Sequence, residues 1–275
     1  MASRYAQPQQ TRLTRFESEQ SVDIHCHCLP GLDDGPATLA EAVTLCRALV
    51  GDGITAVIAT PHQFGRYDRT NPADRIRAAA VVLREKLAGE NVPLTVHVGA
   101  DVRLDERLMQ LLDADEILTL ADSGKHILLE LPHDSFIDPL MLIDRLSRRG
   151  IQAIVSHPER YPHVCRRPDV VRDWVTAGAV LQITAASLLG EFGGPALTIG
   201  WELLGWGLPV MVATDAHNIE RRPPRLTRAI EAIERRLGYA LARRACVENP
   251  LRVLNGQLCA GRARNEVAQR GTVLQ

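Results

Sequence analysis

Seven short apolar, β-branched runs recur along the chain: Val22 to Cys26, Ile54 to Thr60, Leu94 to Val102, His126 to Pro132, Gln152 to Pro158, Ala179 to Ala185 and Pro209 to Asp215. Each is a strand candidate. Helical patterns lie between them. The clearest places Leu39, Ala42, Val43, Cys46, Leu49 and Val50 on one face and stops at Gly51 and Gly53, residue types that tolerate a helix end. Asn71-Pro72 and Asp138-Pro139 read as an N-cap followed by a first-turn proline. Gly150 and Gly178 close helices carrying Leu142/Leu146 and Val171/Trp174/Val175. Regular alternation of this kind implies parallel strands joined by right-handed crossovers, hence an α/β fold. Seven repeats predict a seven-stranded (β/α)7, TIM-like barrel. An open doubly wound sheet is the alternative, because periodicity does not show whether the first strand meets the last.

The length, 275 residues, suits one such barrel, typically about 250 residues. The domain is expected over residues 21–257, with 1–20 a flexible arm and 258–275 a polar tail. Lys plus Arg number 32 against 33 Asp plus Glu, a formal charge of -1 that removes the broad attraction on which nucleic-acid binders depend. The six cysteines are scattered, without zinc-ribbon or disulfide-scaffold spacing, and fit reduced thiols in a cytoplasm. Residues 1–20 contain no apolar run, so neither a signal peptide nor a transmembrane span is expected there.

Polar residues at the strand ends decide the chemistry. His25 and His27 follow the first run, Pro61-His62 the second, and Asp101 and Arg103 the third. Ser156-His157-Pro158-Glu159-Arg160 ends the fifth, and Thr214-Asp215-Ala216-His217-Asn218 the seventh. In a parallel barrel the carboxyl ends of all strands surround one mouth, so these residues converge there. Strand alternation sets both imidazoles of His25-x-His27 on one face and turns Cys26 and Cys28 to the other. With Asp33 and Asp34 in the turn that follows, the mixed His/Asp set suits Mn, Fe or Zn better than Ca or Mg, in a multinuclear site. Arg160 and Arg222 offer parallel donors matched to phosphate oxygens. His97 and His126 read as structural, and so do His133 and His163, although the latter two lie just past strand ends.

These motifs resemble the PHP (polymerase and histidinol phosphatase) superfamily, in the branch of bacterial metal-dependent protein-tyrosine phosphatases that accompany capsule and exopolysaccharide synthesis. The resemblance runs through Asp23 to Pro36, Thr60-Pro61-His62, Gly99 to Arg103, Ser156 to Tyr161, Gln182 to Ser187, Thr214 to Asn218, Arg222-Pro223-Pro224 and Glu248-Asn249-Pro250. It implies a distorted seven-stranded barrel holding three divalent ions, manganese ahead of iron, zinc and magnesium. The implied ligands are His25, His27, Asp34, His62, Asp101, His157, Asp215 and His217, with Arg160 and Arg222 gripping phosphate and His217 able to assist the leaving group. Hydrolysis would use metal-activated hydroxide with no covalent enzyme intermediate. The implied substrate is phosphotyrosine on a protein, a bacterial tyrosine kinase first among candidates; a histidinol-phosphate type of small molecule and a non-catalytic binding module are the alternatives. Two positions depart from the family: Asp101 stands where Glu is usual, and Gln63 where many relatives have His. Cys246 and Arg252 have the spacing of a cysteine-phosphatase loop, but the segment between them has no glycine and contains Glu248 and Pro250, which argues against that chemistry.

Overall fold

The computed structural model describes residues 20–259; residues 1–19 of the expected arm and 260–275 of the expected tail lie outside the described residues. The strands are β1 (Val22–Cys26), β2 (Ala56–Ala59), β3 (His62–Gln63), β4 (Thr95–Val98), β5 (Asp101–Arg103), β6 (His126–Glu130), β7 (Gln152–Ser156), β8 (Val180–Thr184) and β9 (Val210–Ala213). The helices used below are α1 (Leu39–Gly51), α2 (Ala73–Gly89), α3 (Ala185–Leu188), α4 (Gly193–Gly205) and α5 (Asn249–Leu254).

All seven apolar runs contain strands, and every ladder among the described residues is parallel, so the α/β reading stands. The closed seven-stranded barrel needs correction. The strands form two sheets, ordered β1-β2-β4 and β3-β5-β6-β7-β8-β9, because a separate short strand, β3, follows the second run and the third run breaks in two. Pro61 separates β2 from β3, where a continuous strand would need an N–H. Gly99 interrupts the third: a Cβ there would lie 2.9 Å from the Ile58 side chain and 3.0 Å from that of Leu120, so close packing requires glycine. Single hydrogen bonds span the breaks, from Gly99 N–H to the Ala59 carbonyl at 2.9 Å and from Asp101 N–H to the Pro61 carbonyl at 3.2 Å. No ladder joins β9 to β1. They touch through an isolated bridge between Cys26 and Ala216, with Asp215 N–H donating to the His25 carbonyl at 2.8 Å and His27 N–H to the Ala216 carbonyl at 2.9 Å.

Alternation sorts the strand side chains into two clusters. Val22, Ile24, Ala56, Ile58, Leu128, Ile154, Val180 and Met211 fill the interior; Val57, Ala59, Ile127, Leu129, Val155, Leu181, Ile183 and Val212 pack outward under the helices. α1 contributes Val43, Leu45, Cys46 and Leu49 to that outer layer, its first turn closed by a reciprocal Thr38/Glu41 capping box. The expected caps at Asn71 and Asp138 move one residue on, to Pro72 and Pro139. Asn71 instead turns inward, donating to the carbonyls of Leu32 and His62 at 2.9 Å each. Gly150 and Gly178 lie just past the ends of the helices they were expected to close, both with positive φ.

Candidate metal centre

The interior phase that is apolar along β6 to β9 becomes polar one or two steps toward the strands' carboxyl ends, at Glu130, Ser156, Gln182 and Asp215. On β1 the register against β2 shifts between Asp23 and Cys26. Although out of phase with interior Ile24, His25 thereby reaches Gln182, its Nδ1 lying 2.8 Å from Oε1. Cys26 and Cys28 face the outer layer, as alternation predicts.

All the residues singled out by sequence come together at this end. His25 Nε2 is 3.2 Å from His27 Nε2, 3.3 Å from an Asp215 oxygen and 3.6 Å from Asp101. His62 lies 3.4 Å from Asp101 and 3.5 Å from Asp34, and His217 is 3.5 Å from the same Asp34 oxygen. The His157 ring is centred 5.7 Å from that of His25. Arg160 and Arg222 both donate to Asp215 Oδ2 at 2.5 Å, and Arg222 also meets His217 Nε2 at 2.8 Å. A cavity of about 420 Å³ opens above them, lined by Asp34, His62, Tyr67, Arg103, Glu130, His133, His157, Arg160, Asp215 and Arg222 among others.

Among the described residues, five overlapping groups of donors, the atoms of each within 4.8 Å of one another, could hold cations: His27/Asp34/His62/His217, His25/His27/Asp101, His25/His157/Asp215, Glu130/His133/His157 and His62/Asp101/Glu130. Two observations fit a metal centre. Both Asp101 oxygens are buried without a hydrogen-bond partner, and so is His157 Nδ1; native interiors rarely leave a carboxylate so exposed to desolvation unless something else satisfies it. The donors are also N/O groups of the type that binds first-row divalent ions. Burial lowers His25 to about 3 and His62 to about 4, and drives His157 well down, so these rings are neutral with lone pairs free. Against its burial, His27 is raised to about 10 by Asp33 and Asp215; a bound cation would displace that proton. Burial also opposes the Asp215 charge, but the Arg222 and Arg160 guanidiniums and the hydrogen bond from His27 hold that carboxyl well below the usual range.

Some members of the site escaped the sequence reading. Glu130 ends β6 in the interior phase and belongs to two donor groups; a lone carboxylate closing a buried strand was the available signal. His133, read as structural, lies 3.7 Å from Glu130 and its ring is 5.6 Å from that of His157, whereas His163 packs on Phe136 and Tyr161. Asp33 accepts from His62 N–H at 3.0 Å and meets His27 Nδ1 at 2.6 Å, orienting that ring. Gln63 turns the other way, bonded to the backbone of Asn71, Glu116 and Leu118 at 2.9–3.0 Å, so this position serves the framework.

Two carboxylates brace the segments that carry the ligand candidates. Asp23 accepts from Thr214 N–H at 3.0 Å and from its hydroxyl at 2.5 Å, just before Asp215, whose φ is 53°. Glu159 follows His157, whose φ is 33°. Left-handed backbone at non-glycine residues costs about 1–3 kcal/mol and persists where surrounding bonds impose it.

Residues 21–255 match the family described as Capsular polysaccharide synthesis, CpsB/CapC. The chain is 34% identical over 223 residues to tyrosine-protein phosphatase YwqE of Bacillus subtilis, covering 80% of this chain and 86% of that one. It is 26% identical over 243 residues to tyrosine-protein phosphatase CpsB of Streptococcus pneumoniae, covering 86% and 99%. In three dimensions it matches a crystal structure from the study of YwqE and CpsB as metal-dependent tyrosine phosphatases, with TM-score 0.83, 33% identity and coverage of 87% and 96%.

Proposed function

Because the chain belongs to the CpsB/CapC family of capsular polysaccharide synthesis, we propose that it is a metal-dependent protein-tyrosine phosphatase. The observation that carries the reading is the convergence of Arg160 and Arg222 on Asp215 Oδ2, 2.5 Å from each, at the base of a cavity walled by His and carboxylate donors. Two guanidiniums beside a cation site form a receptor for a phosphate monoester dianion.

In this reading His25, His27, Asp34, His62, Asp101, His157, Asp215 and His217 hold three divalent ions, manganese ahead of iron, zinc and magnesium, and Glu130 joins them by its position. Such ions, when bound, polarise phosphoryl oxygens and lower the pKa of water toward neutrality. The chain's own residues do the rest. Arg160 and Arg222 grip the non-bridging phosphoryl oxygens and orient the ester. His217, with Nδ1 3.0 Å from the Asp215 carbonyl and Nε2 beside Asp34 and Arg222, is committed to the ligand layer, so its share in leaving-group protonation is small. A tyrosyl leaving group, with a pKa of about 10, needs little such help. Tyr67, whose ring lies parallel to His62 at 5.5 Å, supplies an aromatic wall for the substrate phenyl ring. Among the described residues no helix is long and apolar enough to cross a membrane; the substrate we favour is a phosphotyrosine protein in the cytoplasm, a bacterial tyrosine kinase above others.

The test is hydrolysis of a phosphotyrosine peptide and of histidinol phosphate by protein stripped with chelator and reloaded with Mn, Fe, Zn or Mg. Peptide turnover lost with chelator and restored by one ion is expected. Preference for histidinol phosphate would move the activity to small molecules.

A further inference from the structure

Glu159 is a fully buried carboxylate that no step above uses. It lies in a single helical turn, Pro158–Arg160, between the ligand candidate His157 and the phosphate-gripping Arg160. Its Oε1 accepts two hydrogen bonds from across a strand boundary, from Thr184 N–H at 3.0 Å and from the Ser187 hydroxyl at 2.7 Å. Thr184 ends β8 and Ser187 lies in α3, and both are fully buried. α4 closes over the carboxylate at Gly200, where a Cβ would stand 3.6 Å from Glu159 Cγ. The turn so held contains the left-handed His157 backbone, and Arg160 N–H donates to the His157 carbonyl at 2.9 Å. The Arg160 guanidinium then lies over the Phe192 ring, 4.3 Å from its centroid, with Asp215 at its tip.

We propose that Glu159 is a positioning residue for substrate phosphate: by tying the His157–Arg160 turn to Thr184 and Ser187, it fixes the direction from which Arg160 reaches the phosphoryl group. The proposal rests on the phosphatase reading for its ligand. Physically, two hydrogen bonds converging on one buried oxygen fix its direction, and they act one peptide unit from the residue it places. A displacement of about 1 Å in such a group is enough to cost about a hundredfold in rate.

The experiment compares Glu159→Ala, Glu159→Gln and Ser187→Ala with Arg160→Ala and with the Glu159→Ala/Arg160→Ala pair. It reads kcat and KM on a phosphotyrosine peptide, the Kd of inorganic phosphate for the Mn-loaded protein by calorimetry, and Tm. Glu159→Ala should weaken phosphate binding about tenfold or more and lower kcat/KM by about 10–100-fold. Ser187→Ala should do the same more mildly, and Glu159→Gln, which keeps an accepting oxygen for both donors, should recover most of the loss. The double variant should lose little more than Arg160→Ala alone, since coupled residues are non-additive. Additive losses, or unchanged phosphate Kd in both Glu159→Ala and Ser187→Ala, would overturn the proposal. Should Glu159→Ala fail to fold, the Ser187→Ala and Glu159→Gln phosphate affinities decide alone. Wild-type protein that hydrolyses no phosphotyrosine peptide with any ion would refute the phosphatase reading instead, while phosphate affinity still tests Glu159.

Discussion

Replacing Asp101 with asparagine preserves side-chain volume and removes the ability to carry charge, at a position buried to 0% exposure with neither oxygen hydrogen-bonded. Burial, reinforced by Glu130, lifts this carboxyl well above the usual range. A folded-state pKa above the unfolded one means that the stability it contributes is complete below about pH 4 and is lost as pH rises through the folded value. Metal-stripped wild-type protein therefore carries a penalty near neutral pH that Asp101→Asn relieves. Asparagine leaves the polar atoms unsatisfied but removes the charge, whose burial costs more than that of a neutral polar group; taking that excess as about 1 kcal/mol, and about 2–4 °C per kcal/mol for a fold of this size, the stripped variant should melt roughly 2–4 °C above stripped wild type. With metal the sign reverses. Losing even an outer partner of a metal site weakens affinity by about 10–100-fold, or about 1.4–2.7 kcal/mol, so the metal-induced rise in Tm should shrink by several degrees. Calorimetric scans in chelator and in excess Mn, at pH 5 and pH 7.5, measure all four states. A variant less stable than wild type in chelator, with an undiminished metal-induced shift, would make Asp101 a framework residue and refute the ligand assignment.

Arg222→Ala should cost about 10²–10³ in kcat/KM on a phosphotyrosine peptide, and Arg222→Lys should recover little because the fork geometry is lost; steady-state kinetics decide, and full recovery by Lys would leave only a point-charge role. Cys246 is fully buried and burial pushes its thiol up, so Cys246→Ser should leave kcat/KM within about twofold; abolished turnover would reinstate a cysteine nucleophile. A methyl group at Gly35 would overlap the His27 carbonyl oxygen and displace the turn bearing Asp33 and Asp34, whereas at Gly51 it meets nothing within 4 Å. Gly35→Ala should thus weaken Mn binding by at least about tenfold in a titration. Gly51→Ala should leave Mn affinity unchanged and, at the last residue of α1, stabilise the helix by no more than about 0.5 kcal/mol.

Much of this architecture was legible from hydrophobic runs and the polar residues at their ends. Parallel topology alone carries His25, His62, His157 and Asp215 to one mouth, whatever the detailed pairing. What escaped depends on distances between segments. Pro61 and Gly99 were visible, but that they divide the sheet follows from how Ile58 and Leu120 crowd Gly99, which no local pattern shows. The shift that aims His25 inward is a register effect between two strands, invisible along either one. Glu130 was hidden inside a run judged by its leucines, although its phase matches that of Leu128. Gln63 is the converse: a family position for histidine that here fills a backbone-bonded niche, a role set by neighbours 53 and 55 residues away.

Both ends of the described chain meet on the floor of the fold. Val22 opens β1 there, in the same interior cluster as Val253 of α5 and Cys259. Cys259 N–H donates to Gln152 Oε1 at 2.8 Å, and the Gln152 amide donates back to the Cys259 carbonyl at 3.1 Å, at the first residue of β7. The arginines and histidines sit at the opposite ends of the same strands. The described fold is therefore polarised like a cup: a short linker joining residue 20 to residue 259, with the chain opened at an exposed loop elsewhere, should leave the rim untouched.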